Sequence, residues 1–137
     1  MTSSRIYAAG FAFVDLNSLS LFVLRRSQRV SEPGTWGTPG GYRERGEEPL
    51  ETALRECQEE IGLVPAHRVL GAVEVPSRKG NYALFIAEVD GSSLDEIDLD
   101  ETESMSAGWV SLDAPAPPHL HPGLRKAWRL VQHVAQK

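Results

Sequence analysis

Two runs near the N-terminus, Arg5–Val14 and Leu19–Leu24, are dense in Val, Leu, Phe and Tyr and predict strands. The stretch "SEPGTWGTPGG", Ser31 to Gly41, is rich in glycine and proline and predicts a loop. From Pro49 to Ile61 the apolar positions Leu50, Ala53, Leu54, Cys57 and Ile61 recur at helical spacing. Pro49 suits the first helical turn, and Gly62 the position just past the end. Val69–Val75 and Tyr82–Val89 predict two more strands, with "SRKGN" as a hairpin turn between them. An acidic connection, Gly91–Ser106, leads to a short strand at Gly108–Leu112. "DAPAPPHLHP" carries too many prolines for regular structure. Leu124–Val134 is amphipathic, with Leu124, Ala127, Trp128, Val131 and Val134 on one side of a helix. Strands and helices alternate, which predicts a layered α/β fold.

Composition narrows the picture. The 137 residues suit one domain with one core, so residues 1–137 are expected to form a single domain. No stretch approaches the roughly 20 apolar residues that cross a bilayer, and no signal peptide is evident. Net charge is −5, which argues against a long nucleic acid as partner but not against a small anion held by local arginines or a metal. Cys57 is the single cysteine, so no intrachain disulfide can form; a reducing cytoplasm is the expected location.

Charge is concentrated in one segment. Gly40 to Leu63 holds seven glutamates against three arginines. On the predicted helix, Glu56, Glu59 and Glu60 fall within an arc of roughly 100°, away from the apolar face. Like charges one turn apart repel by a few tenths of a kcal/mol, which Arg55 offsets in part by pairing with Glu59. Taken alone, such a run ordinarily forms a solvated acidic face. The chemical reading is a site for hard divalent cations, which take carboxylate oxygens and relieve the crowding. Glycines just upstream would let a backbone carbonyl approach as a further oxygen ligand.

The order Gly41-x5-Glu47-x7-Arg55-Glu56-Cys57-x-Glu59-Glu60-x-Gly62-Leu63 resembles the Nudix box with every fixed residue present. Cys57 stands where that pattern has a bulky apolar residue, a mild departure. "WGTPGG" before the box and "GWVSLD" after the acidic connection are also similar to the family's pattern. The resemblance covers about Arg5 to Val134. It implies an α/β/α sandwich with a mixed β-sheet between helices. It also implies Mg²⁺-dependent hydrolysis, with Mn²⁺ as substitute, of a diphosphate linkage in a nucleoside diphosphate or triphosphate derivative. On that resemblance the Gly40 carbonyl, Glu56, Glu59 and Glu60 would hold metal, with Glu56 either ligand or general base. Arg55 would orient Glu56 and pair with Glu47. Gly41 would make a tight loop, and Gly62 would stop the helix. A further carboxylate is expected from the acidic connection; Glu103 has the better spacing to Trp109, and Glu101 stays open. The six acids from Asp95 to Glu103 could equally be solvated.

Other residues carry weaker signals. His67, His119, His121 and His133 share no metal-ligand spacing on one element and read as structural or surface residues. Arg25, Arg26, Arg43 and Arg45 are candidates for phosphate contact. Trp36, Tyr7, Phe11, Phe13 and Tyr82 could stack on a base, although core packing is the commoner role on apolar strands. Cys57, on the core face, is expected to be inert. The substrate is expected to be a small nucleotide, with no membrane and no long nucleic acid, and homodimerisation is left open. A non-catalytic nucleotide sensor on the same fold, a hydrolase of RNA 5′ ends and an isomerase are the alternatives. A sensor would be expected to lose box glutamates, and none is lost. An isomerase would want a separate acid or cysteine.

Overall fold

The computed structural model describes residues 5–137, and the first four residues of the expected domain lie outside the described residues. Seven strands and two α-helices follow one another along the chain: β1 Ile6–Asp15, β2 Ser20–Arg26, β3 Trp36–Gly37, β4 Gly40–Tyr42, α1 Pro49–Ile61, β5 Arg68–Ser77, β6 Gly80–Glu88, β7 Ser104–Ser111 and α2 Pro122–Ala135. A 3-10 turn at Gly91–Leu94 opens the acidic connection. The sheet runs β3-β2-β1-β6-β5, with β4 paired to β1 and β7 to β2. The β1–β6 pair is parallel; the other pairs are antiparallel. The sheet is therefore mixed.

Alternation along the central strands builds a core on each face. Phe11, Phe13, Phe22 and Ala83 point to one side and pack with Ala53, Cys57 and Ile61 of α1. Val14, Val23, Leu84 and Ile86 point to the other and pack with Leu124, Trp128 and Val131 of α2. The result is the α/β/α sandwich with a mixed sheet that the box implied.

Three expected segments differ. β3 and β4 lie inside the stretch expected to be loop. Each exists because a neighbour pairs with it: Gly37 with Leu24, and Gly41 with Ala9. Gly41 thus sits in a strand rather than a tight loop. β7 begins at Ser104 rather than Gly108, because pairing with β2 extends to Arg26↔Ser104 across the short Ser-Met-Ser-Ala stretch. Leu50, placed on the core face of α1, is 39% exposed, while Thr52 and Glu60 are buried. The buried stripe of α1 is Pro49, Thr52, Ala53, Cys57, Glu60 and Ile61. At 100° per residue its centre is turned by roughly 60° from that of the apolar positions, toward Glu60.

Candidate active site

The site is set by β4 lying against α1. Helix α1 starts where Pro49 takes the first position and the Glu51 side chain accepts from the Glu48 amide at 2.9 Å. It ends at Gly62, whose φ of 79° is left-handed and whose N–H donates to the Gln58 carbonyl. Between these limits Arg55 is a hub. Its guanidinium makes a two-pronged contact to Glu47, at 2.7 and 3.1 Å. It also donates to Glu56 at 3.0 Å, to Glu59 at 3.2 Å and to the Tyr42 carbonyl at 2.9 Å. Glu47 accepts further bonds from the Glu44 amide and the Thr52 hydroxyl. Arg55 and these donors hold its carboxyl at about 2, well below the ordinary range.

The three helix glutamates separate in space. The Glu59 side chain is 55% exposed and turned to Arg55. Glu56 is 15% exposed at its side chain. Its carboxylate lies over Gly41, where a Cβ would stand 2.4 Å from the Glu56 carboxyl carbon. Gly41 is thus needed for its size. Burial raises the Glu56 pKa, partly offset by Arg55, while Glu59 and Glu103 add repulsion. Glu60 is 6% exposed and accepts from the Gly40 amide at 2.7 Å. Burial, then the negative fields of Glu103 and Glu56, push its carboxyl up to about 9, against the pull of the Gly40 N–H. Glu103 stands close enough to Glu60 to add to this rise. Glu101 is exposed, and Glu103 borders the cleft described below.

The donor set tests the fit to a metal. A buried carboxylate that faces a second carboxylate and a third nearby, and must hold a proton near pH 9 to do so, is an arrangement a hard divalent cation would relieve. Glu60, Glu103 and Glu56 fit that role by chemistry. Among the described residues, no three His, Cys, Asp or Glu side chains are already gathered at the spacing of a metal site, Glu59 being drawn away by Arg55.

Beside these acids opens a cleft of about 800 Å³. Gly40, Gly41, Glu56 and Glu103 are among the residues that line it. Arg26, Arg78, Lys79 and Lys126 bring positive charge to its walls. Tyr7 and Tyr82 line it as well, in edge-on contact with ring centroids 6.3 Å apart. The Tyr82 hydroxyl occupies the notch left by Gly10 and Gly40, where a Cβ on either would stand within 2.3 Å of it. Of the four arginines picked from the sequence, only Arg26 borders the cleft; Arg25 reaches the Gly34 carbonyl and Arg43 the Glu47 carbonyl. Arg78, Lys79 and Lys126 were missed. The hairpin signal around "SRKGN" marked the turn of the first two but not what the turn overhangs. Phe11 and Phe13 are fully buried, which removes them as stacking candidates, and Trp36 packs against the α2-side core. His67 bonds the Pro65 carbonyl and packs on Phe11. His121 caps α2, its Nδ1 accepting from the Gly123 amide, and borders the cleft; burial lowers its pKa. Cys57 is buried, and burial pushes its thiol up to about 12, an inert state.

A mixed sheet lies between two helices, with Glu47, Arg55, Glu56 and Glu59 joined where α1 meets β4, and comparison with known proteins gives the family. The NUDIX domain model matches residues 6–131, so the chain belongs to the Nudix family. It is 34% identical over 106 residues to a Mycobacterium tuberculosis protein carrying the provisional name 8-oxo-dGTP diphosphatase 3, covering 72% of this chain and 48% of that one. It is 33% identical over 116 residues to the NAD-capped RNA hydrolase NudC of Chromobacterium violaceum, covering 84% and 42%. The chain thus spans about half or less of the length of these relatives. The MutT protein of Methanosarcina mazei has the same fold, with a TM-score of 0.72 at 21% identity over 96% of both chains. Among the described residues no helix is long and apolar enough to cross a membrane.

Proposed function

We propose that this chain is a metal-dependent hydrolase of a diphosphate linkage in a nucleoside diphosphate or triphosphate derivative. The observation that carries this reading is the buried Glu60 carboxyl beside Glu103, where Glu103 borders a cleft also lined by Glu56, Arg26, Arg78, Lys79 and Lys126. A cleft that carries both acids for a metal ion and cations for phosphate oxygens suits a polyphosphate chain. Glu56, Glu60, Glu103 and the Gly40 backbone would hold Mg²⁺ or Mn²⁺, with Glu59 joining once released from Arg55. The bound ion supplies Lewis-acid stabilisation of charge developing on phosphate oxygens. Arg55 holds Glu56 in place, and Glu56 or Glu103 takes the proton of the attacking water. The cationic wall receives the phosphates, and Tyr7 and Tyr82 flank the space left for the base.

The names of the relatives suggest where to begin: oxidised deoxynucleotides first, NAD-capped RNA second. Residues 1–137 would act as one cytoplasmic domain, monomeric or paired. A panel of oxidised dNTPs, ADP-ribose, dinucleoside polyphosphates, nucleotide sugars and 5′-capped or triphosphorylated RNA, each with and without Mg²⁺, tests the reading. Turnover of a free nucleotide that requires the metal supports it. An RNA 5′ end preferred over every free nucleotide by kcat/KM would replace the substrate class. Nucleotide binding without turnover of any compound would leave a sensor.

A further inference from the structure

The acidic connection is fastened to the rest of the fold at two places. At the end of α1, the Asp98 and Asp100 amides donate to the Ile61 and Glu60 carbonyls, both at 2.9 Å. At the end of β2, Ser27 takes hold of the residues around Glu103. Its amide donates to the Glu103 carbonyl at 2.8 Å, and its hydroxyl donates to the Thr102 carbonyl at 2.7 Å. The same hydroxyl oxygen accepts from the Arg29 amide at 3.2 Å, which leaves its proton for Thr102. Ser27 is 4% exposed. From the other side, the Asp100 carbonyl accepts from the Glu103 and Ser104 amides at 3.0 and 2.9 Å. The Asp100 carboxylate accepts from the Thr102 amide and hydroxyl.

The peptide planes on both sides of Glu103 are therefore pinned, one through the Thr102 carbonyl and one through its own. Two fixed planes fix the direction in which Cβ leaves the backbone, and with it where the carboxylate stands relative to Glu60. Resting on the function proposed above, we propose that Ser27 is a positioning residue for the Glu103 carboxylate, with Asp100 as its counterpart on the opposite side of the loop. A buried hydroxyl in this place has no contact with the cleft chemistry except through Glu103.

The test is Ser27→Ala, which removes the hydroxyl and keeps the amide contact. Misplacing a reacting group by about 1 Å costs on the order of 100-fold, so kcat should fall about 10- to 100-fold while KM stays within about 2-fold. In the Glu103→Gln background the same change should cost no more than about 2-fold, because the group it positions is already lost. In metal-free protein, amide hydrogen exchange at Glu103 and Ser104 should speed up by about 10-fold or more, with α1 unaffected. Asp100→Ala should give the same pattern, and it carries the test if Ser27→Ala does not fold. Full kcat in Ser27→Ala despite faster exchange would overturn the proposal, as would costs that multiply in the double variant. Unchanged exchange at Glu103 and Ser104 would overturn it too. If the wild type hydrolyses no nucleotide, the function reading fails, and the exchange arm alone decides whether Ser27 holds the loop.

Discussion

The Glu60 carboxyl accepts a 2.7 Å hydrogen bond from the Gly40 amide and stands beside Glu103, in a position 6% exposed. One amide does not offset burial beside a second acid, so its carboxyl stands at about 9, far above the ordinary range. The native state thus binds a proton that the unfolded chain releases near pH 4.5. The sign follows from linkage: the stability due to this group is complete below the unfolded pKa and is lost as pH rises through the folded one. Metal-free protein is expected to lose stability between about pH 4.5 and pH 9. Glu60→Gln, which keeps the size and removes the titration, should flatten that slope. Thermal unfolding in EDTA at a series of pH values checks it, and an equal slope in both proteins would refute the account.

The same carboxylates predict opposite effects with and without metal. In EDTA, Glu60→Gln should melt no lower than the wild type at pH 8, because folding no longer has to take up a proton at this buried position. Hydrolysis should nevertheless drop by orders of magnitude. Mg²⁺ should raise the melting temperature of the wild type by mass action and that of the variant much less. A wild type that hydrolyses nucleotides at full rate in EDTA would remove the metal from the mechanism.

Gly40 and Gly41 are adjacent, yet their substitution should fail differently. A Cβ on Gly41 meets the far end of the Glu56 side chain at 2.4 to 2.7 Å, and a flexible chain can swing away. Gly41→Ala should therefore fold with a near-normal melting temperature and lose most of its turnover. A Cβ on Gly40 meets the Ala9 carbonyl at 2.7 Å and the Gly10 Cα at 2.8 Å, and backbone cannot step aside. Gly40→Ala should cost about 1–3 kcal/mol of stability as an overpacked site does. Melting curves and kcat on both variants decide it; equal stability losses would mean that Glu56 is as immobile as the strand.

Local signals made part of this legible in the sequence. Pro49 and Gly62 fixed the helix limits, because a helix start and stop are written in the residues that make them. The Arg55–Glu47 contact followed from the resemblance to the box. The burial of Glu60 did not follow from pattern, since Leu50, Leu54 and Cys57 centre the apolar stripe elsewhere, and packing of α1 onto β4 turns the helix inward. β3, β4 and the start of β7 owe their existence to β1 and β2, which no local window contains. Ser27 gave no signal at all: its partners, Thr102 and Glu103, lie 75 residues and more away. Glu103 sits in a loop, yet both its amide and its carbonyl are bound. Glu103→Gln is accordingly expected to slow turnover as severely as a helix glutamate variant and far more than Glu101→Gln, whose side chain is exposed.

The cationic wall gives a prediction about binding rather than chemistry. Lys79 sits at the tip of the β5–β6 hairpin, its Nζ 2.6 Å from the Tyr42 hydroxyl and 5.0 Å from the centre of the Tyr42 ring. Tyr42 is 62% exposed and packs against Tyr7, whose ring centroid is 6.0 Å away. The ammonium is thereby held at the cleft by contacts to Tyr42 that do not involve the acids. A charge so exposed is screened by salt, and its contact with a phosphate changes affinity by no more than about 5-fold. Lys79→Ala should raise KM by about 3- to 5-fold at low ionic strength with kcat unchanged, and the difference should shrink at 0.5 M salt. Tyr42→Phe, which keeps the ring and removes the hydroxyl, should give part of that rise. Steady-state kinetics at two salt concentrations check it. A fall in kcat with KM unmoved would place Lys79 at the reacting phosphate instead, and no effect on either would take the hairpin out of substrate binding.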